Sequence, residues 1–550
     1  MENNGYLSFV EQALSSNGTL NAFSDFKGET ITYNQVGERI VALHQLYNEL
    51  GIKKGDKVAL IGRNMTSWAV VYLGTITYGA VIVPILPDFN SGDIHHIVNH
   101  SESKLLFTTD LLFDKLDETK MKGLMGIISI NQCISLVDNV KGGLGECVEK
   151  LQAFFKGDGS SFNPEQLNFP EIESEEVMVL SYTSGTSGFS KGVLLPHRSI
   201  WSNIKYAQEH LILKPQERVV SFLPLAHAYG CLFEFLWPFT MGCHITFLTR
   251  TPSPQIITEA FRKVKPHIIL SVPLILEKIF KKRVQPQLEE PKVKALLKIP
   301  GLNKVVYNKV KKKLFEVFGG EFREIIIGGA ALNKDVELFL RKIGFPFTIG
   351  YGMTECGPLI SYAPWTESRR FSAGELVDRM EVKIDSKDPY NEVGEILVRG
   401  DNTLLGYYKN QDATDEIFGD DGWLHTGDLG VIDEQNFIYI KGRSKNLLLG
   451  ASGQNIYPEE IEATINSMEY VQECLVRDND GKLEALIYPD YEATDAERLN
   501  KAQIEQKLQE IKAATNKTLP AYMNIQQVTL FPEEFEKTPK KSIKRYKYTK

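Results

Sequence analysis

The chain has 550 residues, which is too long for a single ordinary core, so two or more domains are expected. Hydrophobic residues make up 43% and charged residues 24%, a composition typical of soluble globular proteins. The net charge of -8 argues against a general nucleic-acid binder, because nucleic acid is a polyanion. No nucleic-acid partner is therefore predicted.

The N-terminal segment and the cysteines both favour the cytoplasm. Residues Met1–Leu14 lack the basic start and the apolar run of a signal peptide, so export is not expected. The six cysteines form no CxxC pair, which disfavours a disulfide framework or a zinc site and favours a reducing compartment.

One uncharged segment, Trp68–Pro87, is nearly long enough to span a membrane. Glycine and proline interrupt it at several positions: Gly74, Gly79, Pro84 and Pro87. We therefore predict a buried helix to about Thr77, followed by a strand at Ala80–Pro84.

Apolar, β-branched runs alternate with amphipathic stretches through about the first 440 residues. The runs predicted to be strands include Lys57–Ile61, Val177–Tyr182, Val219–Leu223, His244–Leu248, Ile268–Val272 and Glu324–Ile327. Near-continuous apolar strands between helical patterns predict an α/β fold of mostly parallel sheets covered by helices.

The pattern changes to shorter strands from Glu392 onward, with Gly394–Arg399 and Phe437–Ile440 as examples, which predicts a β subdomain. The last hundred or so residues predict a small α+β unit. Its predicted elements are a helix at Glu459–Met468, strands at Val471–Val476 and Leu483–Tyr488, and a helix at Ala496–Asn516.

Two segments are strongly basic. Lys278–Lys313 contains twelve Lys or Arg against Glu289 and Glu290, and Lys537–Lys550 contains seven with no acid. One interpretation is a solvated helical surface and a basic tail. The other is contact with an anionic membrane or a polyphosphate ligand.

The loop Thr183–Lys191 follows an apolar strand and is rich in hydroxyl side chains, with two glycines and a lysine. Backbone N–H groups, hydroxyls and a cation suit the oxygens of a triphosphate. The loop is not a Walker A motif, and Phe189 stands where a GxSxG elbow needs its last glycine. A flexible surface turn is the alternative. The predicted phosphate-binding residues are Thr183, Ser184, Gly185, Thr186, Ser187, Gly188 and Lys191.

Further motifs follow in a fixed order: IIIGGAAL at Ile325–Leu332, YGMTECGP at Tyr351–Pro358, GWLHTGD at Gly422–Asp428 and GRSKN at Gly442–Asn446. Together with the loop, they resemble the adenylate-forming superfamily of acyl-CoA synthetases, firefly luciferases and peptide-synthetase adenylation domains, over essentially the whole chain. The resemblance implies ATP, Mg²⁺ and coenzyme A as cofactors. It also implies a large AMP-binding domain at residues 1–444 and a small mobile domain at 445–550.

The resemblance also implies roles for residues of these motifs. The loop would hold the pyrophosphate, and Glu355 would bind magnesium, an ion that prefers hard carboxylate oxygen. Thr354 would donate to the α-phosphate. Asp428 would accept both ribose hydroxyls in charge-assisted bonds, and Arg443 would contact the ribose. The residues implied for the adenine slot are Gly329, Ala330, Ala331, Tyr351 and Gly352.

In the second half-reaction a thiol attacks the acyl-adenylate, and the resemblance implies a rotation of the small domain about Lys445. Gly453 would then line the pantetheine tunnel. His227, in LPLAHAYG, would lie between the acyl pocket and the thiol entrance. His96 and His100 have helical spacing, but a metal there is not expected because the segment resembles family core. The catalytic residues expected in all are Thr183, Glu355, His227 and Lys541.

The tail departs from the family pattern KTxxGKIxR, whose second lysine contacts the α-phosphate and the carboxylate. Lys537–Arg545 reads KTPKKSIKR, so Ser542 stands where the lysine is expected. Serine carries no positive charge. Lys541 is one residue early and Lys540 two, and we assign the role to Lys541.

The predicted substrates are a long-chain fatty acid and coenzyme A, because LPLAHAYG and IGYGMTECGPLIS look like long-chain fatty acyl-CoA synthetases. The basic insertion between Pro273 and Phe318 lies where those enzymes carry extra helices near the acyl entrance. The alternatives are an acyl–acyl carrier protein ligase, an aryl-CoA ligase and a weakly active acyl-nucleotide binder. Peripheral contact with the inner membrane face is a further hypothesis.

Overall fold

A computed structural model of the chain describes residues 5–140, 143–183, 191–211, 213–449, 454–538 and 542–549. Helices and strands alternate up to residue 183. The helices are α1 (Gly5–Asn17), α2 (Tyr33–Glu49), α3 (Thr66–Tyr78), α4 (Ser91–Ser101), α5 (Asp110–Phe113) and α6 (Leu144–Phe155). The strands are β1 (Asn21–Asp25), β2 (Thr30–Thr32), β3 (Lys57–Ile61), β4 (Val81–Ile85), β5 (Leu105–Thr108), β6 (Gly126–Ser129), β7 (Ser135–Asp138) and β8 (Val177–Thr183).

The same alternation continues to about residue 350. The helices are α7 (His197–His210), α8 (Ala228–Gly230), α9 (Trp237–Thr240), α10 (Pro254–Val264), α11 (Pro273–Ile279), α12 (Gln285–Glu289), α13 (Pro291–Leu297), α14 (Leu302–Val317) and α15 (Lys334–Lys342). The strands are β9 (Lys191–Pro196), β10 (Arg218–Ser221), β11 (His244–Phe247), β12 (Ile268–Ser271), β13 (Glu324–Ile327) and β14 (Phe347–Ile349).

Short strands dominate the segment from residue 351 to 443: β15 (Tyr351–Gly352), β16 (Leu359–Tyr362), β17 (Glu375–Leu376), β18 (Met380–Asp385), β19 (Gly394–Gly400), β20 (Gly406–Tyr407), β21 (Leu424–Ile432) and β22 (Ile438–Arg443), with helix α16 (Gln411–Phe418). The last segment contains strands β23 (Leu448–Leu449), β24 (Asn455–Ile456), β25 (Val471–Asn479), β26 (Lys482–Pro489) and β27 (Gln527–Leu530), and helices α17 (Pro458–Asn466), α18 (Tyr491–Ala496) and α19 (Lys501–Asn516).

The largest sheet has the strand order β20-β9-β8-β4-β3-β5-β6-β7, and its centre from β8 to β6 is parallel. Two further sheets, β10-β11-β1-β2 and β12-β13-β14, are also mainly parallel. The sheet β18-β19-β21-β22 is antiparallel. Parallel strands that are apolar on both faces need helices on each side, so the predicted α/β fold with a β subdomain is confirmed.

The hydrophobic core is divided along the chain. One large cluster of buried apolar side chains runs from Tyr6 to Ile438, and a separate cluster runs from Ile456 to Ile525. The second cluster packs α17 and α19 against the sheet β25-β26-β27. The proposed boundary at Lys445 lies between the two clusters.

The interrupted segment Trp68–Pro87 forms helix α3, which ends at Tyr78, and then strand β4. Gly79 ends the helix with a left-handed backbone at φ 85°, a conformation that glycine adopts without strain. The predicted helix and strand are therefore confirmed. Within the described residues, no helix is long and apolar enough to cross a membrane.

The prediction of one helix at Ala496–Asn516 is wrong. Helix α18 ends at Ala496 and α19 begins at Lys501. Asn500 caps α19 through a reciprocal capping box with Gln503, so a new helix starts there, while Arg498 has a left-handed backbone with φ 56°. The six cysteines are all buried and unpaired in this structure.

Candidate active site

The loop predicted to bind phosphate lies between strands β8 and β9. Thr183 and Lys191 face each other as the last pair of this antiparallel ladder. Residues 184–190 lie outside the described part of the chain. The predicted phosphate contacts of five of them stay predictions: Ser184, Gly185, Thr186, Ser187 and Gly188.

Lys191, Tyr407 and Glu355 lie together beside this hairpin. The Nζ atom of Lys191 is 4.9 Å from the ring centroid of Tyr407, and the Tyr407 hydroxyl donates to Oε1 of Glu355 at 2.9 Å. Burial and the Glu355 charge raise the pKa of Tyr407, so its hydroxyl keeps its proton. Strand β20 brings Tyr407 here by pairing with Val193 of β9.

The residues around Glu355 fit a magnesium ion. Its carboxylate offers hard oxygen, and the single bond from Tyr407 leaves lone pairs on both oxygens. The backbone around it is anchored, since Leu404 donates its N–H to the Glu355 carbonyl at 2.8 Å. Asn203 of α7 donates to the Cys356 carbonyl at 3.2 Å. The short helical turn that begins at Thr354 is thereby held in place.

Asp428 is buried, with 4% of its surface exposed, and two side chains contact it. Its Oδ1 lies 2.8 Å from Nε of Arg443, and its Oδ2 accepts from the Tyr351 hydroxyl at 2.7 Å. Burial raises the pKa of Asp428, whereas Arg443 and Tyr351 lower it. A carboxylate has about four lone-pair positions, so two remain for a pair of hydroxyl donors.

The residues predicted for the adenine slot follow two neighbouring parallel strands. Ile327 of β13 pairs with Ile349 of β14, so the segments after them emerge at one edge of the sheet. Gly329 has φ 87° and is exposed, as are Ala330 and Ala331. A Cβ on Gly352 would lie 2.0 Å from the Pro358 carbonyl oxygen, so only glycine fits. The residues predicted for the slot are therefore small and follow neighbouring strands, and the slot itself stays a prediction.

The segment that carries His227 packs against this slot. His227 is half-buried and directly precedes α8. Two residues on, Tyr229 donates its hydroxyl to the Ile326 carbonyl at 3.0 Å. A Cβ on Gly328 would lie 3.1 Å from the Tyr229 ring, so the ring lies directly against this glycine. The structure thus joins the His227 segment to the adenine slot through Tyr229.

The C-terminal unit contacts the rest of the chain at several points. Asn333 donates its side-chain amide to the Ala463 carbonyl at 3.2 Å, and Lys281 donates to the Val471 carbonyl at 3.0 Å. Lys445 lies in the helical turn Ser444–Asn446, and its role as a hinge stays a prediction. Gly453 lies outside the described residues.

The basic tail folds back on the C-terminal unit. Thr538 donates its N–H to the Ser542 carbonyl at 2.8 Å, and the backbones of Lys537 and Ile543 form an isolated antiparallel β-bridge. Arg545 forms an ion pair with buried Glu462. Ser542 is exposed, and Lys540 and Lys541 lie outside the described part of the chain.

Three residues that structure the site were missed by sequence reasoning: Tyr407, Asn203 and Tyr229. Tyr229 stood inside a recognised motif, so its proximity to His227 was a usable signal. No local sequence pattern marks Tyr407. Its neighbour Tyr408 is also a tyrosine but makes different contacts, so the residue type alone does not tell the two apart. Asn203 is one polar residue in an amphipathic helix, and its long-range bonds leave no pattern in the sequence.

A family model described as AMP-binding enzyme matches residues 10–408. The chain belongs to this family. The relation confirms the predicted enzyme class, AMP-forming acid–thiol ligases, which use ATP, Mg²⁺ and coenzyme A.

The curated relatives of this AMP-binding enzyme include the long-chain-fatty-acid–CoA ligase of Salmonella typhimurium. The two are 29% identical over 474 residues, which cover 81% of this chain and 78% of the relative. The peroxisomal long chain acyl-CoA synthetase 7 of Arabidopsis thaliana is 28% identical over 498 residues, covering 85% and 69%. The crystal structure of anthranilate CoA ligase AuaEII with anthranoyl-AMP matches with a TM-score of 0.79 and 19% identity, over 100% of this chain and 97% of that one. The structural match supports the fold alone.

Proposed function

We propose that the enzyme joins a long-chain fatty acid to AMP and then transfers the acyl group to coenzyme A, releasing AMP and pyrophosphate. The observation that carries the proposal is a pair of clusters joined by the short segment Tyr351–Glu355: Asp428 with Arg443 and Tyr351, and Glu355 with Tyr407 and Lys191. The Asp428 cluster suits a ribose, and the Glu355 cluster suits a polyphosphate. The choice of a fatty acid draws on the names of the curated relatives.

In this proposal each side chain acts on a stated atom. Asp428 accepts the ribose hydroxyls, and Lys191 stabilises the leaving pyrophosphate by charge. Glu355 would hold Mg²⁺, which when bound supplies Lewis-acid stabilisation of phosphate charge. Both substrates are anionic, so positive charge and fixed geometry lower the barrier together. His227 would stand where the thiol approaches.

A small apolar cavity lies next to the His227 segment, and we place the apolar acyl group there. Ala226 and Ala228, on either side of His227, line it together with Tyr72, Leu225 and Leu232. Its volume is about 10 Å³, which is room for about one water molecule. A long acyl chain therefore requires side chains of this wall to move on binding.

ATP–pyrophosphate exchange with purified enzyme tests the function. We expect palmitate or oleate to drive exchange well above benzoate, and coenzyme A to be acylated in preference to acyl carrier protein. Exchange driven by benzoate alone would support an aryl-CoA ligase. Acylation of the carrier protein alone would support the carrier-protein ligase. Tight binding of acyl-AMP without exchange would support the nucleotide binder.

The same assay on tail variants tests the lysine assignment. Lys541→Ala is expected to slow exchange by about 10²–10³-fold, because a charge-assisted contact to the transition state is lost. Thioester formation from preformed acyl-adenylate should change far less. Ser542→Lys restores the family pattern and is expected to leave exchange equal or faster, with Lys547→Ala as the control for tail charge. If Lys541→Ala exchanges like wild type, Lys541 does not supply the cation.

We further propose that the enzyme binds anionic membrane from the cytoplasm through the α13–α14 tip, residues 296–305. Large apolar side chains of the tip are exposed: Leu296 by 38%, Ile299 by 47%, Leu302 by 42% and Val305 by 63%. The surrounding segment, residues 291–315, has eight lysines and no acid. Exposed apolar side chains flanked by lysines suit the boundary between acyl chains and anionic head groups.

Part of the basic run faces elsewhere. Lys281 is half-buried against the C-terminal unit, where it donates to the Val471 carbonyl and lies 3.8 Å from a carboxylate oxygen of Asp490. Burial lowers the pKa of Lys281. Lys281 is therefore outside the proposed membrane surface, which begins with the lysines of α13.

Co-sedimentation with vesicles tests the membrane surface. We expect binding to phosphatidylcholine vesicles that contain phosphatidylglycerol, and a loss of at least about tenfold in Lys294→Glu/Lys298→Glu/Lys304→Glu. Leu302→Ser/Val305→Ser should also weaken binding. The matched controls are Lys501→Glu and Leu111→Ser, whose side chains are exposed outside the tip. Binding that ignores phosphatidylglycerol, or survives the triple substitution, would contradict the proposal.

A further inference from the structure

Glu234 is a carboxyl group in the interior of the N-terminal part. It lies in a π-helical turn, Cys231–Leu236, directly after α8, and 0% of its surface is exposed. Single π-helical turns are rare and are frequent at functional sites. Within the described part of the chain, Glu234 has no ion-pair partner, so its burial needs another explanation.

The Glu234 carboxyl binds the backbone just upstream of the LPLAHAYG motif. Its Oε2 accepts the N–H groups of Phe222 and Leu223, each at 2.9 Å. Its Oε1 is buried and has no hydrogen-bond partner among the described residues. Burial raises the pKa of Glu234 well above its usual value and disfavours its charged form, whereas the bonds with Leu223, Ser221 and Phe222 lower it. An amide oxygen can accept the same two N–H groups without carrying a charge.

Asn64 binds the same segment as well, and its amide also donates to the Ser221 hydroxyl at 3.0 Å. Its amide donates to the Leu223 carbonyl at 2.7 Å, and its Oδ1 accepts the N–H of Leu225 at 3.2 Å. The segment then turns at His227, whose N–H donates to the Pro224 carbonyl at 3.0 Å. The backbone that leads to His227 is therefore held by two buried side chains, Glu234 and Asn64.

We infer that Glu234 is a positioning residue: through Phe222 and Leu223 it fixes the segment Pro224–Tyr229, which carries His227 beside the acyl cavity and Tyr229 against the adenine slot. The inference rests on the proposed function, since His227 belongs to it. Glu234 touches no substrate. Its loss leaves two buried N–H groups unpaired, and the segment is free to shift.

Steady-state and half-reaction kinetics of Glu234→Gln and Glu234→Met test the role. Gln keeps the acceptor, and we expect rates within about threefold of wild type. Met keeps the volume but not the acceptor, and we expect acyl transfer from preformed acyl-AMP to fall by at least about tenfold. The KM for ATP should change less than acyl transfer does, because Tyr229 keeps its own hydrogen bond to the Ile326 carbonyl at the predicted adenine slot. If Glu234 were only structural, its replacement would lower the rates of both half-reactions and the melting temperature together.

A double-mutant cycle shows whether the effect passes through His227. Glu234→Met should cost little more in a His227→Ala background, because residues that act as one unit are not additive. Full additivity would overturn the inference, and so would a Glu234→Met enzyme with normal acyl transfer.

Amide hydrogen exchange of the peptide that spans residues 222–230 gives a readout without activity. Exchange should be faster in Glu234→Met than in wild type and unchanged in Glu234→Gln. Equal exchange in all three proteins would overturn the positioning role. This holds even if no fatty acid drives ATP–pyrophosphate exchange, a result that would count against the proposed function alone.

Discussion

Asp428→Asn is expected to raise the KM for ATP by about 10²-fold in the exchange assay. The buried carboxylate faces Arg443 and Tyr351 and keeps lone pairs for two ribose hydroxyls. Hydrogen bonds to a charged acceptor contribute about 1.5–3 kcal/mol each, and an amide accepts through only one atom. Isothermal titration with ATP and the exchange kinetics measure the loss.

Asp433→Asn is the matched control for Asp428. Asp433 directly follows β21, the strand that carries Asp428, but it pairs with Arg369 away from Tyr351. We expect its KM for ATP to stay within about twofold of wild type. A normal KM in Asp428→Asn, with an unchanged melting temperature, would remove Asp428 from the ribose site.

Glu355→Gln is expected to slow exchange by about 10²–10³-fold at saturating Mg²⁺ and to raise the Mg²⁺ concentration needed for half-maximal rate. The physical reason is that an amide oxygen binds a hard divalent cation far more weakly than a carboxylate does. A titration of exchange rate against Mg²⁺, at fixed ATP, separates the two effects.

Two controls accompany Glu355→Gln. Tyr407→Phe removes only the hydroxyl that donates to Glu355, and we expect a loss of about tenfold or less. Glu416→Gln changes another carboxylate near Tyr407, on α16, and should leave exchange unchanged. If Glu355→Gln exchanges normally at low Mg²⁺, Glu355 is not the metal ligand.

Local patterns predicted much of the fold. Lys57–Ile61 and Glu324–Ile327 were predicted with the same bounds as strands β3 and β13. A buried strand is a short, continuous apolar run between breakers, so its residues alone identify it. Trp68–Pro87 was divided correctly because glycine and proline act within a few residues of themselves.

The failure at Ala496–Asn516 was a local one and was avoidable. The sequence Asn500–Gln503 carries the capping-box signature, which marks the start of a new helix. Helical periodicity is present on both sides of the break, so periodicity alone predicts one continuous helix, whereas the capping box predicts two. Element type was therefore predicted correctly there, but the break was not.

Contacts between distant segments lay beyond local patterns. Tyr407 reaches Glu355 because β20 pairs with β9, whose residues are more than two hundred positions earlier. Lys281 belongs to a basic run that predicts a solvated surface, yet it is half-buried and contacts Val471 and Asp490. Such pairings depend on how whole sheets and domains pack, and no periodicity records them.

The candidate site combines both kinds of information. Asp428, Glu355 and the ends of the predicted phosphate loop could be proposed for the site because they lie in short motifs that resemble those of the family. The Tyr351 hydroxyl on Asp428, the Tyr407 hydroxyl on Glu355 and the Glu234 carboxyl on the Phe222 N–H could not be predicted. These hydrogen bonds join residues that come together only when separate sheets pack. The free energy of each bond depends on burial, which exists only in the packed fold.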